Sequence, residues 1–195
     1  MIETVLLSRR LSARARVGVK TLLSVALVAL AVGLPQLVHL WLGAPGGVQW
    51  LPMYLPVVLG GCLLSARWGF AVGAASPLVS FWLTSLAGDP MPALARLPFM
   101  AAELAVLALV SGAFSGLISK NPAWAFVAVL SAFVAGRLGF LGLVAVFDRL
   151  TPLAPSLVRS QILTGLPAVA LQSLLVPLAV VGLWFLTRPD KGDRA

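Results

Sequence analysis

The chain has 195 residues, of which 60% are hydrophobic and only 10% are charged, and its mean hydropathy is +1.02. This balance lies far outside that of soluble domains and excludes a soluble fold. The formal net charge of +8 does not indicate nucleic-acid binding, because the basic residues flank apolar stretches, as they do in membrane proteins. We therefore expect an all-α protein embedded in a lipid bilayer.

The chain begins with a basic segment, residues 1–20, which contains four arginines and Lys20. A signal peptide also begins with basic residues, but here the apolar stretch that follows runs from about Leu22 to Leu42. It has no small-residue cleavage site before a polar domain. We interpret the stretch as a retained first membrane span and residues 1–20 as a cytoplasmic segment.

Six apolar stretches are candidates for crossing a hydrocarbon core about 30 Å thick, which takes roughly 20 helical residues. In chain order they are Thr21–Leu42, Pro52–Ser65, Trp68–Ala87, Leu97–Ser119, Pro122–Phe147 and Gln161–Thr187. The second stretch is short, and its prolines, together with Pro77, can interrupt a helix. The alternative is that part of residues 52–87 merges into one span or forms a segment that re-enters the membrane. We predict a compact bundle of six transmembrane helices over residues 21–187 and a cytoplasmic tail over residues 188–195.

The basic residues set the predicted orientation of this bundle. With six crossings, ten of them lie on the side of the N-terminus and three on the other, and positive residues concentrate on the cytoplasmic side. The larger group is Arg9, Arg10, Arg14, Arg16, Lys20, Arg67, Lys120, Arg188, Lys191 and Arg194, and the smaller is Arg96, Arg149 and Arg159. Both termini are therefore predicted to be cytoplasmic, and a count of five spans would break this agreement.

Small residues indicate where helices pack closely. Gly69–Gly73 and Gly112–Gly116 are Gly-x-x-x-Gly patterns, which let two helix backbones approach each other. Ala26, Ala29 and Gly33 form another small face on the first span. From spacing alone, that face suits either a neighbouring helix or a partner protein.

Glu103 and Arg137 are the two formal charges well inside the apolar stretches. A charge near the bilayer centre costs about 2.5–3.5 kcal/mol on insertion scales, so each needs a compensating partner. We expect the two side chains to face one interior cavity, where they pair with each other or with a ligand. A purely structural ion pair is the alternative.

Four further residues are candidates for the wall of that cavity, namely His39, Tyr54, Trp82 and Gln172. Tyr54 and Trp82 offer rings on which a ligand can stack. His39 and Trp82 also suit the membrane interface, where amphipathic side chains anchor a bundle. Gln172 suits a hydrogen-bonded brace between helices equally well.

Catalytic and metal-binding signatures are missing from the sequence. It contains no His-Glu-x-x-His, no Gly-x-Ser-x-Gly and no glycine-rich phosphate loop ending in Lys-Ser or Lys-Thr. A single histidine and the lone Cys62 predict neither a metal site nor a disulfide. We expect a protein that is not an enzyme, needs no cofactor and takes any energy for transport from elsewhere.

Five segments, considered in their order and spacing, resemble the S components of energy-coupling factor (ECF) vitamin transporters, which are their substrate-binding membrane subunits. They are Met53–Gly61, Trp68–Gly73 with Ser76-Pro77, Phe99–Ala105, Gly136-Arg137 and Gly165–Gln172. The resemblance covers roughly residues 52–177, and the size and number of spans also agree.

The resemblance implies a subunit in the cell membrane of a prokaryote that captures a vitamin or related small metabolite from outside. Its pocket would be bounded by the outer parts of the last three helices and a loop near the first. The subunit would then dock on an ECF transmembrane coupling subunit that carries two cytoplasmic ATPases.

Position by position, the resemblance assigns ligand binding to Glu103, Arg137 and Gln172. It also makes the small face of the first span the docking surface for the coupling subunit. The family prefers alanines four residues apart on that face, whereas this chain has Ala29 and Gly33. The resemblance therefore does not fix which residues of this face would contact the coupling subunit.

Two other functions are compatible with the residues. In a self-contained carrier or channel, Glu103 would titrate and couple proton movement to a solute. In a membrane scaffold that transports nothing, the charged pair would be structural only.

Overall fold

The computed structural model describes residues 1–147 and 155–187, and all regular structure within them is α-helical. The helices are α1 (Ile2–Ser8), α2 (Ala13–Trp50), α3 (Tyr54–Leu64), α4 (Ala66–Leu86), α5 (Leu97–Ala113), α6 (Ser115–Lys120), α7 (Trp124–Val146) and α8 (Pro155–Thr187). The predicted all-α class is confirmed. The predicted tail, residues 188–195, and Arg149 lie outside the described residues.

Four helical segments in the described ranges are long and apolar enough to cross a membrane. They are Ala13–Gly43 of α2, the whole of α4 and α7, and Arg159–Thr187 of α8. The second and fourth predicted stretches form the shorter apolar helices α3 and α5. Each of the six stretches thus contains a helix, and four of them have the length of a full span. The fourth stretch, Leu97–Ser119, is divided at Phe114 into α5 and α6.

The short helix α3 occupies the centre of the bundle, in contact with α2, α4, α5 and α8. Nine of its 11 residues are buried, and at 1.5 Å per residue it is only about 16 Å long. Ser65, with a φ of 106°, separates it from α4, so the two helices do not merge. Because other helices cover α3, it does not need the length that a lipid-exposed span requires.

Glycines bring α4 against α3 and α5. An added Cβ at Gly69 would lie 2.8 Å from the Gly61 Cα and 2.9 Å from the Ala108 carbonyl oxygen, and one at Gly73 would collide with the Leu104 carbonyl. At Gly112 it would lie 2.6 Å from the Ala66 Cα, whereas at Gly116 it would meet nothing within 4 Å. Three of the four pattern glycines therefore serve packing within the chain.

Replacing Gly73 by alanine is expected to lower the stability of the bundle, because the new methyl group meets rigid backbone. Overpacking of this kind costs about 1–3 kcal/mol, which outweighs the gain of roughly 1 kcal/mol in helix propensity. Gly116→Ala is the matched control and should be neutral or slightly stabilising. Thermal unfolding of the two variants in detergent tests this. Equal midpoints would contradict the packing described for α4.

Basic residues at the start of α2 lie at one end of the bundle. Thr4 and Ser8 of α1, Lys120 of α6 and Thr187 of α8 line one surface groove, so these three elements meet at one end. In the same region Glu3 forms salt bridges with Arg16, at 3.3 Å, and with Lys20. The start of α2, with its basic residues, therefore lies at the end where α8 finishes.

Candidate ligand-binding site

A cavity of about 280 Å³ lies at the opposite end of the bundle. Its wall is formed by the last turns of α2, residues 51–54, the connection between α4 and α5, and parts of α5, α7 and α8. Pockets for small molecules typically enclose about 300–1,000 Å³, so this cavity suits a small ligand. Both charges of the apolar stretches, Glu103 and Arg137, line it.

A kink in α2 brings the end of that helix to the cavity. Gly43 has φ 68° and ψ −174°, values that only glycine adopts readily, and the predicted first span ends one residue earlier, at Leu42. Beyond the kink, the Gly47 backbone packs against the His39 ring, since an added Cβ would lie 2.7 Å from its Cε1 atom. His39 and Gly47 therefore both line the cavity.

Tyr54, Glu103 and Arg137 form a buried polar cluster in the cavity wall. Arg137 Nη1 donates to Glu103 Oε1 at 3.0 Å, and the Tyr54 hydroxyl donates to Glu103 Oε2 at 2.7 Å. The Arg137 Cζ atom also lies 5.2 Å from the centre of the Tyr54 ring, within range of a cation–π contact. The two charges of the apolar stretches therefore pair with each other, and only 3% of the Glu103 side chain is exposed.

The second terminal nitrogen of Arg137 has a different environment. Nη2 is buried and has no hydrogen-bond partner among the described residues. It lies beside Gly165 of α8, where an added Cβ would be 3.4 Å away. The absence of a side chain at Gly165 thus leaves room for the guanidinium between α7 and α8.

The connection between α4 and α5 is fastened to α4 by side chains. Ser80 Oγ donates to the Met91 carbonyl at 2.9 Å, and the Met91 amide donates to Thr84 Oγ1 at 2.7 Å. Farther along, Arg96 Nη2 donates to Gln161 Oε1 of α8 at 2.6 Å. These bonds hold residues 91–96 in place as one side of the cavity.

The predicted site residues divide into two groups. His39, Tyr54, Glu103 and Arg137 line the cavity. Gln172 is not among the described residues of its wall; its Nε2 donates to the carbonyls of Trp50, at 3.0 Å, and of Leu51, at 3.1 Å. Gln172 therefore braces the segment that follows the α2 kink.

Trp82 also lies away from the cavity wall. Its relative exposure is 63%, and it is not among the described residues that line the cavity. An exposed ring is typical of an anchor at the membrane interface, which is the second role that the sequence allows for Trp82.

Several wall residues were not singled out from the sequence, chiefly Arg96, Met91, Met100 and Phe140. Helical spacing would have indicated two of them, because Met100 precedes Glu103 and Phe140 follows Arg137 by three residues. Two features of the sequence could have indicated Arg96. It is one of the three basic residues on the predicted outer side, and it directly precedes an apolar stretch.

The cavity wall offers hydrogen-bonding groups, and metal ligands are not gathered there among the described residues. Within the described ranges, no three His, Cys, Asp or Glu side chains are grouped so that they could hold a metal ion. Cys62 is buried in the core of α3. The polar groups of the wall donate and accept hydrogen bonds.

No protein-family model, curated protein or solved structure matches the chain significantly. Over its described residues, the fold and the site define it as an all-helical protein with four helices long and apolar enough to span a membrane and a partly polar cavity at one end.

Proposed function

We propose that this chain is the substrate-binding membrane subunit, or S component, of an ECF-type importer. The observation that carries the proposal is the cavity at the end of the bundle opposite the basic start of α2. With the basic end cytoplasmic, the cavity faces the outer side of a prokaryotic cell membrane. It would capture a vitamin or related small metabolite there.

The composition of the wall supports this assignment. Parts of α5, α7 and α8 and the segment after the α2 kink bound the cavity. The resemblance to S components implies a pocket in the outer parts of the last three helices and a loop near the first, which is the same arrangement. In the proposal, α3 and the consecutive helices α5 and α6 complete a six-span bundle.

The buried cluster has a binding role in this proposal. The salt bridge to Glu103 and the ring of Tyr54 fix the Arg137 guanidinium in the wall. A ligand would therefore meet a polar surface that is already ordered, and ordering before binding reduces its entropic cost.

A self-contained proton-coupled carrier receives less support. Such a carrier needs a carboxyl group that is free to gain and lose a proton during transport. Both oxygens of Glu103 accept hydrogen bonds from buried partners, Arg137 and Tyr54.

Proteoliposomes distinguish the two functions. The purified chain alone should bind its substrate without accumulating it, with or without a pH gradient. The chain reconstituted with the co-purified coupling subunit and ATPases should accumulate the substrate only when ATP is present. Accumulation by the chain alone, driven by a pH gradient, would contradict the proposal.

A further inference from the structure

We infer that the ligand of this cavity is a small carboxylate with a single negative charge, whose carboxyl group binds Arg96. The inference rests on the proposed function and names the class of substrate.

The charges of the described wall leave one positive charge uncompensated. Its three formally charged residues are Arg96, Glu103 and Arg137, and the last two form a salt bridge. Arg96 instead bonds to the neutral side chain of Gln161 and has no described acidic side chain at salt-bridge distance. Asp89, on the same connection, is exposed and does not line the cavity. An anion would restore neutrality.

The guanidinium of Arg96 retains donors for a ligand. One of its five N–H groups, on Nη2, donates to Gln161, and no hydrogen bond to another described residue uses the other four. A planar guanidinium binds a carboxylate through two parallel hydrogen bonds, and such charge-assisted bonds are about twice as strong as neutral ones. The bond to Gln161 also holds the guanidinium in position at the cavity wall.

The same wall disfavours a ligand that carries an ammonium group. Glu103 is the acidic residue of the described wall, and both its oxygens already accept hydrogen bonds. An ammonium ion would have to compete with Arg137 for that carboxylate while Arg96 and Arg137 repel it. The ligand is therefore a monoanion rather than a cation or an amino acid.

The remaining wall suits an apolar body on the ligand. It is formed largely by Pro35, Met53, Met91, Met100, Phe140 and Ile162. Thioether side chains are flexible and polarisable, so they adapt to different shapes, and an aromatic ring packs against a flat body. Together with the volume of about 280 Å³, this describes a compact organic acid.

Matched pairs of acids and neutral amides or alcohols test the inference on the purified full-length chain. Suitable probes are nicotinate with nicotinamide, biotin with biotin amide and pantothenate with panthenol, each measured by isothermal titration calorimetry. At least one acid should bind, and its neutral counterpart should bind roughly 10- to 100-fold more weakly, which is the range expected for hydrogen bonds to a charged group.

Arg96→Gln should remove this preference, because the affinity for the acid should fall to that for its neutral counterpart. Arg159→Gln removes the same charge from an exposed position outside the described wall and should leave both affinities unchanged. Arg96→Lys should restore only part of the preference, because an ammonium group lacks the planar fork of donors.

Binding of neutral probes as tightly as their acids, with no effect of Arg96→Gln, would overturn the inference and leave the proposed function standing. Absence of saturable binding by every probe, acid or neutral, would overturn the inference and count against the proposed function as well.

Discussion

Replacing Arg137 by methionine is expected to destabilise the protein by about 3–5 kcal/mol and to abolish ligand binding. The substitution leaves the Glu103 carboxylate buried without its cation, and an unpaired buried charge is costly. Thermal or denaturant unfolding in detergent measures the first effect, and calorimetric titration with the identified ligand measures the second.

A double variant separates these effects. Glu103→Leu with Arg137→Met removes both charges, and apolar replacements of a buried ion pair are often neutral or stabilising. We expect the double variant to recover most of the lost stability and still fail to bind. If the single Arg137→Met variant were as stable as the parent and bound the ligand with unchanged affinity, the cluster would neither stabilise the fold nor bind the ligand.

Replacing Gly33 by leucine is expected to reduce transport to background while leaving ligand affinity unchanged. In the proposed function, Ala26, Ala29 and Gly33 of α2 form the surface that docks on the coupling subunit. Ala26 and Ala29 are exposed, and an added Cβ at Gly33 would meet nothing of this chain within 4 Å. The fold should therefore accept the leucine, whereas close contact with a partner helix should not.

Gly142→Leu provides the matched control, because Gly142 is exposed on α7 and is equally free of neighbours. ATP-dependent uptake by the two variants and co-purification of the coupling subunit are the measurements. Equal uptake by both variants would place the docking surface elsewhere on the bundle.

The sequence predicted most of the helical layout because burial and length constrain it strongly. Apolar stretches identified the helices, and the end of the first span at Leu42 coincides with the kink at Gly43. The cost of a buried charge was enough to predict that Glu103 and Arg137 face one cavity, although they are 34 residues apart. The mutual salt bridge was one of two alternatives that this argument left open.

Other features depend on the direction in which a side chain extends from its helix, which the sequence alone does not specify. Gln172 lies on a predicted helix, but its amide donates to the carbonyls of Trp50 and Leu51, where α2 ends in a left-handed residue. The rotation of α4 places Trp82 outside the cavity wall. Arg96 joins the wall because Ser80 and Thr84 hold the connection between α4 and α5, which apolar periodicity does not reveal.

Native mass spectrometry of the purified chain against a panel of vitamins and their precursors tests the central claim most directly. The account predicts one bound small molecule per chain in the absence of ATP and of any partner. It also predicts loss of that mass shift in the folded Glu103→Leu, Arg137→Met double variant. Binding that persists unchanged in the double variant, or no saturable binding by the parent chain, would contradict the assignment of this cavity as a substrate site.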